Sequence, residues 1–299
     1  MKGPRVNVVL STYNGEKYIG EQLNSLFEQD YPDIVIYVRD DGSADSTLSI
    51  LERYERQGKI YLIKGENSGF CASFFSLLKI VKEGDYWAFC DQDDIWKKDK
   101  ISRAVRYLEE QKQNDIPLLY YSYSEMIDEN GEYIGIQKPP NGSLCFRRML
   151  TGTFGVGFSM VINAPLRKAM LMCDPEQVFS HDWLAGTIAL AMGRVIVDQN
   201  ISAFYRRLDM SVSKVTGRKK LQWLWRMLIG EGDIKRRNIE FSKKFYEYLS
   251  KENQALIDMF DKKKYSIKYA LRKCFYLKRW RPTMSSEFVM RFLMLIGRV

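Results

Sequence analysis

The segment DYWAFCDQDDIWKKDKI, residues 85–101, decides the fold prediction because it places three carboxylates directly after a short run of strand-forming residues. Asp91, Asp93 and Asp94 follow DYWAFC, and each negative charge raises the free energy of ionising the other two. Alternate residues of an extended segment point the same way, so Asp91 and Asp93 can share one face. A hard divalent cation such as Mg²⁺ or Mn²⁺, with oxygen ligands, would compensate their charge. The other interpretation is a solvated acidic turn.

The residues before these acids alternate between strand and helix patterns. RVNVVLSTYN, DIVIYVRDDGS, KIYLIKGENSG and DYWAFC are each typical of a strand that ends in a polar turn, and helical apolar stripes lie between them. Strand, turn and helix recur at about 30 residues, which predicts parallel βαβ units in an α/β fold. Ligands of such sheets bind beyond the carboxyl ends of the strands. We therefore expect the turns at 11–15, 40–45, 66–69 and 91–94 at one sheet edge.

These turns carry further candidate binding residues. Asp40 and Asp41 could accept from a nucleobase imide or a ribose hydroxyl, although Asp-Gly-Ser is also ordinary turn and N-cap chemistry. Tyr13 could stack on a base or pack at its strand end, and residues 67–69 could bring backbone amides to a ligand or form a plain turn. The sequence has no GxGxxG segment, P-loop or nucleophile elbow, which disfavours the usual dinucleotide oxidoreductases and ATPases. Together the turns predict a metal and nucleotide site.

A further candidate is Ser180-His181-Asp182-Trp183, which precedes the helical pattern LAGTIALAMG. Asp182 could cap that helix, or it could act as a general base whose strength is increased by Trp183 and a closed cleft. His181 could orient a substrate, bind phosphate or be a hydrogen-bonded structural residue. It is the only histidine of the chain, so a mechanism that needs two imidazoles is excluded.

The chain of 299 residues has a formal net charge of +9, which is unevenly distributed. Residues 1–213 carry 24 Lys and Arg against 29 Asp and Glu, whereas residues 214–299 carry 22 against 8. The basic part interleaves aromatic residues with Lys and Arg in successive amphipathic helical patterns, which suits an anionic membrane surface. The alternative is a helical subdomain that packs on the first part, and nucleic-acid binding lacks a recognisable motif. The predicted domains are 1–214 and 215–299.

Cysteine usage and hydropathy bear on the compartment. The five cysteines are scattered without CxxC spacing, which is typical of a reducing compartment and argues against a disulfide framework. The sequence lacks a signal-peptide pattern and an uninterrupted apolar run of about 18 residues. We therefore expect a cytoplasmic protein, bound peripherally to the inner face of the cell membrane.

Five segments in order, STYNG, VRDDGSADST, ENSGF, CDQDDIW and HDW, resemble the inverting family 2 glycosyltransferases over residues 5 to 210. The resemblance implies the GT-A nucleotide-diphospho-sugar transferase fold, with a Rossmann-like, mixed and mostly parallel sheet, followed here by a C-terminal helical extension. It implies a nucleotide-diphospho-sugar donor, Mn²⁺ or Mg²⁺ at Asp91 and Asp93, and Asp182 as the base that deprotonates an acceptor hydroxyl. The predicted donor contacts are Thr12, Tyr13, Asn14, Asp40, Asp41, Asn67, Gly69, Asp91, Gln92, Trp96, Lys100, Arg206 and Arg207. The predicted acceptor-side or supporting residues are Asp94, His181 and Trp183.

The segments DQDDIW and HDW are most similar to those of a bacterial subgroup that transfers L-rhamnose from dTDP-rhamnose to cell-wall or O-antigen polysaccharides. The implied acceptor is a polysaccharide or a polyprenyl-linked glycan. A hexosyltransferase that uses a UDP-sugar and a sugar-nucleotide-binding protein without catalysis are the alternatives. The subgroup carries a metal-binding His where this sequence has Leu208. Either Asp209, water or the diphosphate replaces that ligand, or metal binding is weaker and Arg206 or Arg207 neutralises phosphate instead.

Overall fold

The computed structural model describes residues 3–113, 115–142, 144–208, 233–260 and 265–299. The strands are β1 (Val6–Thr12), β2 (Ile34–Asp40), β3 (Tyr61–Lys64), β4 (Tyr86–Cys90), β5 (Ile95–Trp96), β6 (Leu118–Ile127), β7 (Tyr133–Gln137), β8 (Met160–Asn163) and β9 (Arg194–Arg206). The helices are α1 (Ile19–Phe27), α2 (Thr47–Arg56), α3 (Phe70–Ile80), α4 (Lys100–Glu110), α5 (Phe146–Met149), α6 (Ala164–Met170), α7 (His181–Met192), α8 (Asp233–Phe245), α9 (Lys251–Ile257), α10 (Ile267–Cys274) and α11 (Met284–Leu295).

The strands form one mixed sheet in the order β3-β2-β1-β4-β8-β6-β9-β5, with β7 paired to β6. The first four strands are parallel, as the repeating strand and helix pattern predicts. Strand β8 is antiparallel to β4 and β6, and β9 runs parallel to β6. The α/β prediction is confirmed, and the antiparallel β8 makes the sheet mixed.

Side chains of the sheet alternate between two apolar layers because successive strand residues point to opposite faces. Val8 and Leu10 pack into the layer that α1, α2 and α4 cover. Val9 packs into the opposite layer, beneath α3, α6 and α7. Helices cover both faces of the central strands, so a ligand can approach these strands at their ends.

The helices that follow residue 232 share the second layer with the first part of the chain. Phe241 of α8 packs against Phe146 and Trp183, with ring centroids 5.7 and 6.5 Å apart. The Asn238 side chain donates to the carbonyl of Leu150 (2.8 Å). The predicted domain boundary at residues 214 and 215 lies outside the described residues. None of the described helices is long and apolar enough to cross a membrane.

Candidate active site

The sheet register brings the predicted turns to one edge. Thr12 is paired with Asp40 and Asp40 with Lys64, so β1, β2 and β3 end side by side, and Leu10 is paired with Cys90 at the end of β4. Direct hydrogen bonds then join the turns. The Tyr13 N–H (2.8 Å) and the Thr12 hydroxyl (2.6 Å) both donate to Oε1 of Gln92. The expectation of one shared edge is confirmed.

The turn of STYNG is shaped by local requirements of Asn14 and Gly15. Asn14 has a φ of 48°, a left-handed conformation that Asn tolerates better than most residues. Its N–H donates to Oγ of Ser43 (2.9 Å), and its Oδ1 accepts from the Ala44 N–H (2.9 Å). A Cβ on Gly15 would lie 2.6 Å from Oε1 of Gln92. A side chain at this position would therefore require the Gln92 side chain to shift from its bonds with Thr12 and Tyr13. Tyr13, 45% exposed, is accessible to a ligand.

The two carboxylates of the second turn are buried and organise their surroundings. Asp40 accepts from the Ser43 N–H (3.0 Å) and hydroxyl (2.5 Å). Asp41 accepts from Arg39 and from the N–H groups of Ser68 (3.1 Å) and Gly69 (3.0 Å). These bonds hold the 66–69 turn, in which Asn67 is exposed and Gly69 has a φ of 81°. The Ser68 hydroxyl also donates to Asp41 (3.1 Å), so the four acceptor positions of the Asp41 carboxylate are occupied, whereas Asp40 keeps about two for a nucleoside. Contact of Asp40 and Asp41 with a nucleoside stays a prediction.

Asp91, Asp93 and Asp94 lie close enough together for their negative charges to repel one another. Burial, then the charge of Asp93, then that of Asp182, raise the pKa of Asp91 to about 7. Burial raises the pKa of Asp93 as well, although the Arg206 charge opposes it. Asp94 is 1% exposed, and burial followed by its acidic neighbours raises its pKa strongly. One Asp94 oxygen accepts from the Arg206 N–H (3.2 Å), while Oδ2 has no partner among the described residues. A bound cation would relieve this repulsion.

The side chains of the acidic turn supply only part of the ligands that a hard divalent cation needs. Asp91 and Asp93 are partly exposed and supply carboxylate oxygens, the ligand type that Mg²⁺ and Mn²⁺ prefer. Within the described ranges, no three or more His, Cys, Asp or Glu side chains are arranged to hold a metal ion. Leu208 offers no ligand atom, and Asp209 lies outside the described residues. The part of the chain that the structure describes thus supplies no further side-chain ligand, and Asp209, water and oxygens of a bound diphosphate stay the predicted ones.

Arg206 ties the acidic turn to the rest of the fold. Its guanidinium donates to the Asp93 carbonyl (3.2 Å) and to the Glu21 carboxylate (2.7 Å), and it lies 4.8 Å from the centre of the Tyr18 ring. Because Arg206 is 5% exposed, its charge acts on Asp93 from inside the protein and not from the surface. Arg207 is more exposed, and it donates to the Tyr205 hydroxyl (2.9 Å). Contacts of either arginine with phosphate stay predictions, and the burial of Arg206 makes direct contact harder.

Lys100 and Trp96 also lie behind the turn rather than on its surface. Lys100 is fully buried, its ammonium donates to Oγ of Ser202 (3.1 Å), and it lies 4.8 Å from the centre of the Trp96 ring. Burial lowers the pKa of Lys100 to about 8, while the nearby Cys90 and Asp94 oppose that shift. Trp96 is 3% exposed. This geometry favours support of the acidic turn over the predicted direct contact with a donor.

Asp182 lies in the first turn of α7, and the N-cap is Ser180. The alternative in which Asp182 itself caps the helix is therefore wrong. Its Oδ1 accepts from the Trp183 N–H (2.7 Å) and from the Ser180 hydroxyl, whereas Oδ2 accepts no hydrogen bond from the described residues. The partly exposed carboxylate is close enough to Asp91 for its charge to raise the Asp91 pKa. The base candidate and the acidic turn therefore face the same site.

Trp183 does not reach that site. Its side chain is fully buried, its indole N–H donates to the Met149 carbonyl (2.9 Å), and the Arg237 guanidinium lies 4.7 Å from the ring. It can therefore influence the reaction only by fixing α7, which carries Asp182.

His181 is packed in an aromatic box. Its ring centroid lies 4.0 Å from that of Phe74, 4.8 Å from Phe89 and 6.2 Å from Phe70. It is 4% exposed, neither ring nitrogen has a partner among the described residues, and burial lowers its pKa to about 4. The ring is therefore neutral at physiological pH and carries no charge for phosphate. A Cβ on Gly157 would lie 2.3 Å from Nε2, so glycine makes room for the ring.

We predict that the His181 imidazole stays neutral until the pH falls to about 4. As the chain has one histidine, ¹⁵N NMR reports its titration without overlap. The unfolded chain takes up this proton near pH 6.5, before the folded chain does, so His181 makes the fold less stable as pH falls from 6.5 towards 4. His181→Phe should remove this part of the pH dependence of the unfolding free energy. A native midpoint near 6.5 would contradict the buried position.

The sequence predictions assigned no role to two residues that support the site. Arg39 forms a buried ion pair with Asp41 and donates to the Glu66 carbonyl (3.2 Å), which joins the second and third turns. Ser180 caps α7 and fixes one oxygen of Asp182. The signal for Ser180 was present, since a Ser directly before an apolar helical pattern is a common N-cap. Arg39 gave no comparable signal, because a charged residue at a strand end is usually solvated.

Comparison with known protein families gives a match over more than half of the chain. The family model described as glycosyl transferase family 2 matches residues 7–173. The dTDP-rhamnosyl transferase RfbG of Shigella flexneri is 43% identical over 102 residues, 32% of this chain and 35% of RfbG. The putative teichuronic acid biosynthesis glycosyltransferase TuaG of Bacillus subtilis is 35% identical over 109 residues, 36% of this chain and 43% of TuaG. The matched segments thus span less than half the length of these relatives.

Solved structures show the same fold at low sequence identity. Residues 1–349 of TarS from S. aureus superpose with a TM-score of 0.57 at 19% identity, covering 99% of this chain and 81% of that one. A mannosyltransferase of Pyrobaculum calidifontis, solved in complex with GDP-Man and Mn²⁺, gives a TM-score of 0.53 at 19% identity, covering 86% of this chain and 68% of that one. The predicted GT-A-like fold with C-terminal helices is confirmed.

Proposed function

The chain belongs to glycosyl transferase family 2, and we propose that it transfers a sugar from a nucleotide-diphospho-sugar to an acceptor hydroxyl with inversion at the anomeric carbon. The observation that carries the proposal is the convergence of Asp91, Asp93 and Asp182 at the sheet edge where Thr12, Asp40 and Cys90 end their strands. The charges of Asp93 and Asp182 both raise the pKa of Asp91 in the absence of a ligand, and this repulsion has a use when a cation and a diphosphate bind there.

In the proposed donor complex, the turns of β1, β2 and β3 bind the nucleoside and the turn after β4 meets the diphosphate. Tyr13 is exposed and can stack on the base, and Asp40 has acceptor positions left for base or ribose donors. The acceptor positions of Asp41 are occupied by Arg39, Ser68 and Gly69, so its contact with the nucleoside would require one of these bonds to be exchanged. Asp91 and Asp93 would hold Mn²⁺ or Mg²⁺, which would stabilise the negative charge of the departing diphosphate. Arg206 holds the Asp93 carbonyl and the Asp94 carboxylate in place for this contact.

In the proposed reaction, Asp182 acts as the general base. Its Oδ1 is fixed by Ser180 and the Trp183 N–H, which leaves Oδ2 to accept the acceptor proton. The acceptor oxygen forms a bond to the anomeric carbon, the bond from that carbon to the diphosphate breaks, and the electron pair leaves with the nucleoside diphosphate. Attack from the face opposite the diphosphate inverts the anomeric configuration.

We propose that the donor is dTDP-rhamnose and that the transferred sugar is L-rhamnose. The support is the sequence of the DQDDIW and HDW segments, together with 43% identity over 102 residues to a protein named as a dTDP-rhamnosyl transferase. A UDP-hexose is the second candidate, because TarS is named as a poly(ribitol-phosphate) N-acetylglucosaminyltransferase and has been solved with UDP-GlcNAc. Leu208, in place of a metal-ligating His, favours the third candidate, a sugar-nucleotide-binding protein without catalysis. Asp91, Asp93 and Asp182 all argue against that third candidate.

The proposed acceptor is a growing cell-surface polysaccharide or a polyprenyl-linked glycan. Such acceptors lie at a membrane, so the proposal includes a peripheral position on the cytoplasmic face of an anionic membrane. The support for it is the basic and aromatic composition of residues 214–299. Nucleic acid is not a proposed partner.

Thermal unfolding with a panel of dTDP-, UDP- and GDP-sugars, each with and without Mn²⁺, tests the donor assignment. We expect dTDP-rhamnose with Mn²⁺ to raise Tm most, by about 4 °C at a concentration about 100 times its Kd. A larger shift with a UDP-sugar would replace rhamnose by a hexose. If no sugar nucleotide raises Tm, the proposed function is wrong.

A further inference from the structure

The last two helices carry two stripes of large apolar side chains that the described residues leave exposed. Ile267, Leu271 and Phe275 follow one another at intervals of four residues along α10 and its C-cap, with exposed fractions of 57, 42 and 75%. Phe288, Phe292 and Leu295 form a similar stripe on α11 and are 67, 53 and 39% exposed. We call these six residues the C-terminal apolar surface. Contiguous exposed patches of large apolar side chains usually mark a binding surface.

This surface is not the outer rim of the core. The opposite side of α11 already supplies Met290, Leu293 and Met294 to the core, and all three are fully or almost fully buried. Helix α11 is therefore apolar on two sides, a pattern that is usual for a helix enclosed by protein or lipid. Leu277, in the connection between the helices, is 98% exposed.

The charge around the surface selects an anionic partner. Residues 265–299 contain eight Lys and Arg but a single acid, Glu287. Glu287 is buried, and its carboxylate is used by the Arg291 guanidinium (2.6 Å) and the Arg281 N–H (2.7 Å). The exposed basic residues beside the apolar stripes are Lys268, Arg272, Lys278 and Arg279. Apolar side chains flanked by lysine and arginine suit the interface of an anionic phospholipid bilayer.

The surface is fixed to the catalytic part of the chain. The Thr151 hydroxyl donates to the Trp280 carbonyl (2.9 Å), and the Arg281 guanidinium donates to the Thr151 carbonyl (2.6 Å). The Trp280 ring is fully buried, 5.0 Å from that of Phe260. Any surface that binds α10 and α11 therefore also sets the orientation of the chain.

We propose that the C-terminal apolar surface, together with Leu277 and its basic neighbours, inserts into the headgroup region of an anionic bilayer with α10 and α11 lying along the membrane. This inference rests on the membrane association in the proposed function and names the residues that mediate it. It does not depend on sugar transfer, so vesicle binding and donor binding fail independently.

The test is co-sedimentation of the whole chain with phosphatidylglycerol-containing vesicles, and with vesicles of phosphatidylcholine alone. We expect binding to the anionic vesicles that falls at least about tenfold in Leu277→Glu/Phe288→Glu and also falls in high salt. The matched control is Tyr133→Glu/Ile134→Glu, which adds the same charge to the β7 hairpin at side chains that are 60 and 51% exposed. The control should bind like the unaltered chain, and all three should retain dTDP-sugar binding.

Several outcomes would overturn the inference. One is anionic-vesicle binding that Leu277→Glu/Phe288→Glu leaves unchanged, and another is an equal loss in the β7 control, which would indicate a nonspecific charge effect. Sedimentation velocity provides a third. If the unaltered chain is a dimer that Leu277→Glu/Phe288→Glu converts to a monomer, a second copy rather than a bilayer covers the surface.

Discussion

Replacing Asp182 with Asn is expected to lower the rate of sugar transfer by about 10³-fold while donor affinity changes little. Asn keeps the size of the side chain, and its oxygen can still accept from the Trp183 N–H as Oδ1 of Asp182 does. It cannot accept the acceptor proton at neutral pH. The loss of one negative charge also removes a contribution that raises the Asp91 pKa, so more of Asp91 is ionised at neutral pH, which offsets the weaker attraction of the site for a cation. Single-turnover transfer rates and calorimetric donor titrations measure the two effects separately.

The matched control for this variant is Asp174→Asn. Asp174 is exposed and accepts from the Glu176 N–H (3.0 Å) in the loop before α7, so the same loss of charge occurs eight residues earlier. This control should transfer sugar at the unaltered rate. Full transfer activity in Asp182→Asn would refute the assignment of Asp182 as the base.

The fold of the first hundred residues could be predicted because local patterns carry it. The β-branched runs before STYNG and RDDGS are strands, and their parallel pairing places Thr12 beside Asp40. Parallel strands separated by helices have their carboxyl ends on one edge, which is why four polar turns could be assigned to a single site without a structure. The position of Asp182 followed from the resemblance of HDW and not from periodicity.

The positions of Lys100, Arg206 and His181 could not be predicted in the same way. A lysine shortly after an acidic turn has the chemistry of a phosphate ligand, but Lys100 is buried against Ser202, which lies 102 residues further along the chain. Arg206 contacts Glu21, 185 residues away. The neutrality of His181 depends on Phe70, Phe74 and Phe89 around it. The burial of Lys100, the contact of Arg206 and the neutrality of His181 arise from tertiary contacts, which cannot be predicted from residue type and local spacing alone.

The basic C-terminal region shows the same division between local pattern and tertiary packing. Composition predicted amphipathic helices with Lys and Arg, and α8, α10 and α11 lie within that region. The alternative of packing on the first part is also seen in part, since Phe241 and Trp280 are buried in the common core. Only the packed structure separates these buried aromatics from Phe288 and Phe292, which are exposed. The membrane hypothesis therefore acquires named residues that the sequence alone could not select.

Replacing Asp93 with Asn is expected to weaken Mn²⁺-dependent donor binding by at least about 30-fold, or about 2 kcal/mol. The variant loses one of the two carboxylates that would hold the cation, and no described cluster of three acidic, Cys or His side chains can compensate. In the absence of metal the same change should make the fold more stable. The charge of Asp93 raises the pKa values of Asp91 and Asp94, so its removal relieves repulsion among these acids.

Asp99→Asn is the matched control for Asp93→Asn, because the Asp99 side chain is 49% exposed and its ion pair is with Arg103, outside the acidic turn. It should bind the donor like the unaltered chain. Donor binding and metal-free stability should therefore move in opposite directions in Asp93→Asn and stay constant in the control. A simple structural role for Asp93 would lower both.

The central claim is that the acids of DYWAFCDQDDIW hold a cation and the diphosphate of a sugar nucleotide. Isothermal titration calorimetry of the unaltered chain and Asp93→Asn with dTDP-rhamnose, with and without Mn²⁺, tests it most directly. We expect Mn²⁺ to strengthen donor binding to the unaltered chain and to have little effect on Asp93→Asn. Equal donor affinities of the two chains in Mn²⁺ would contradict the claim.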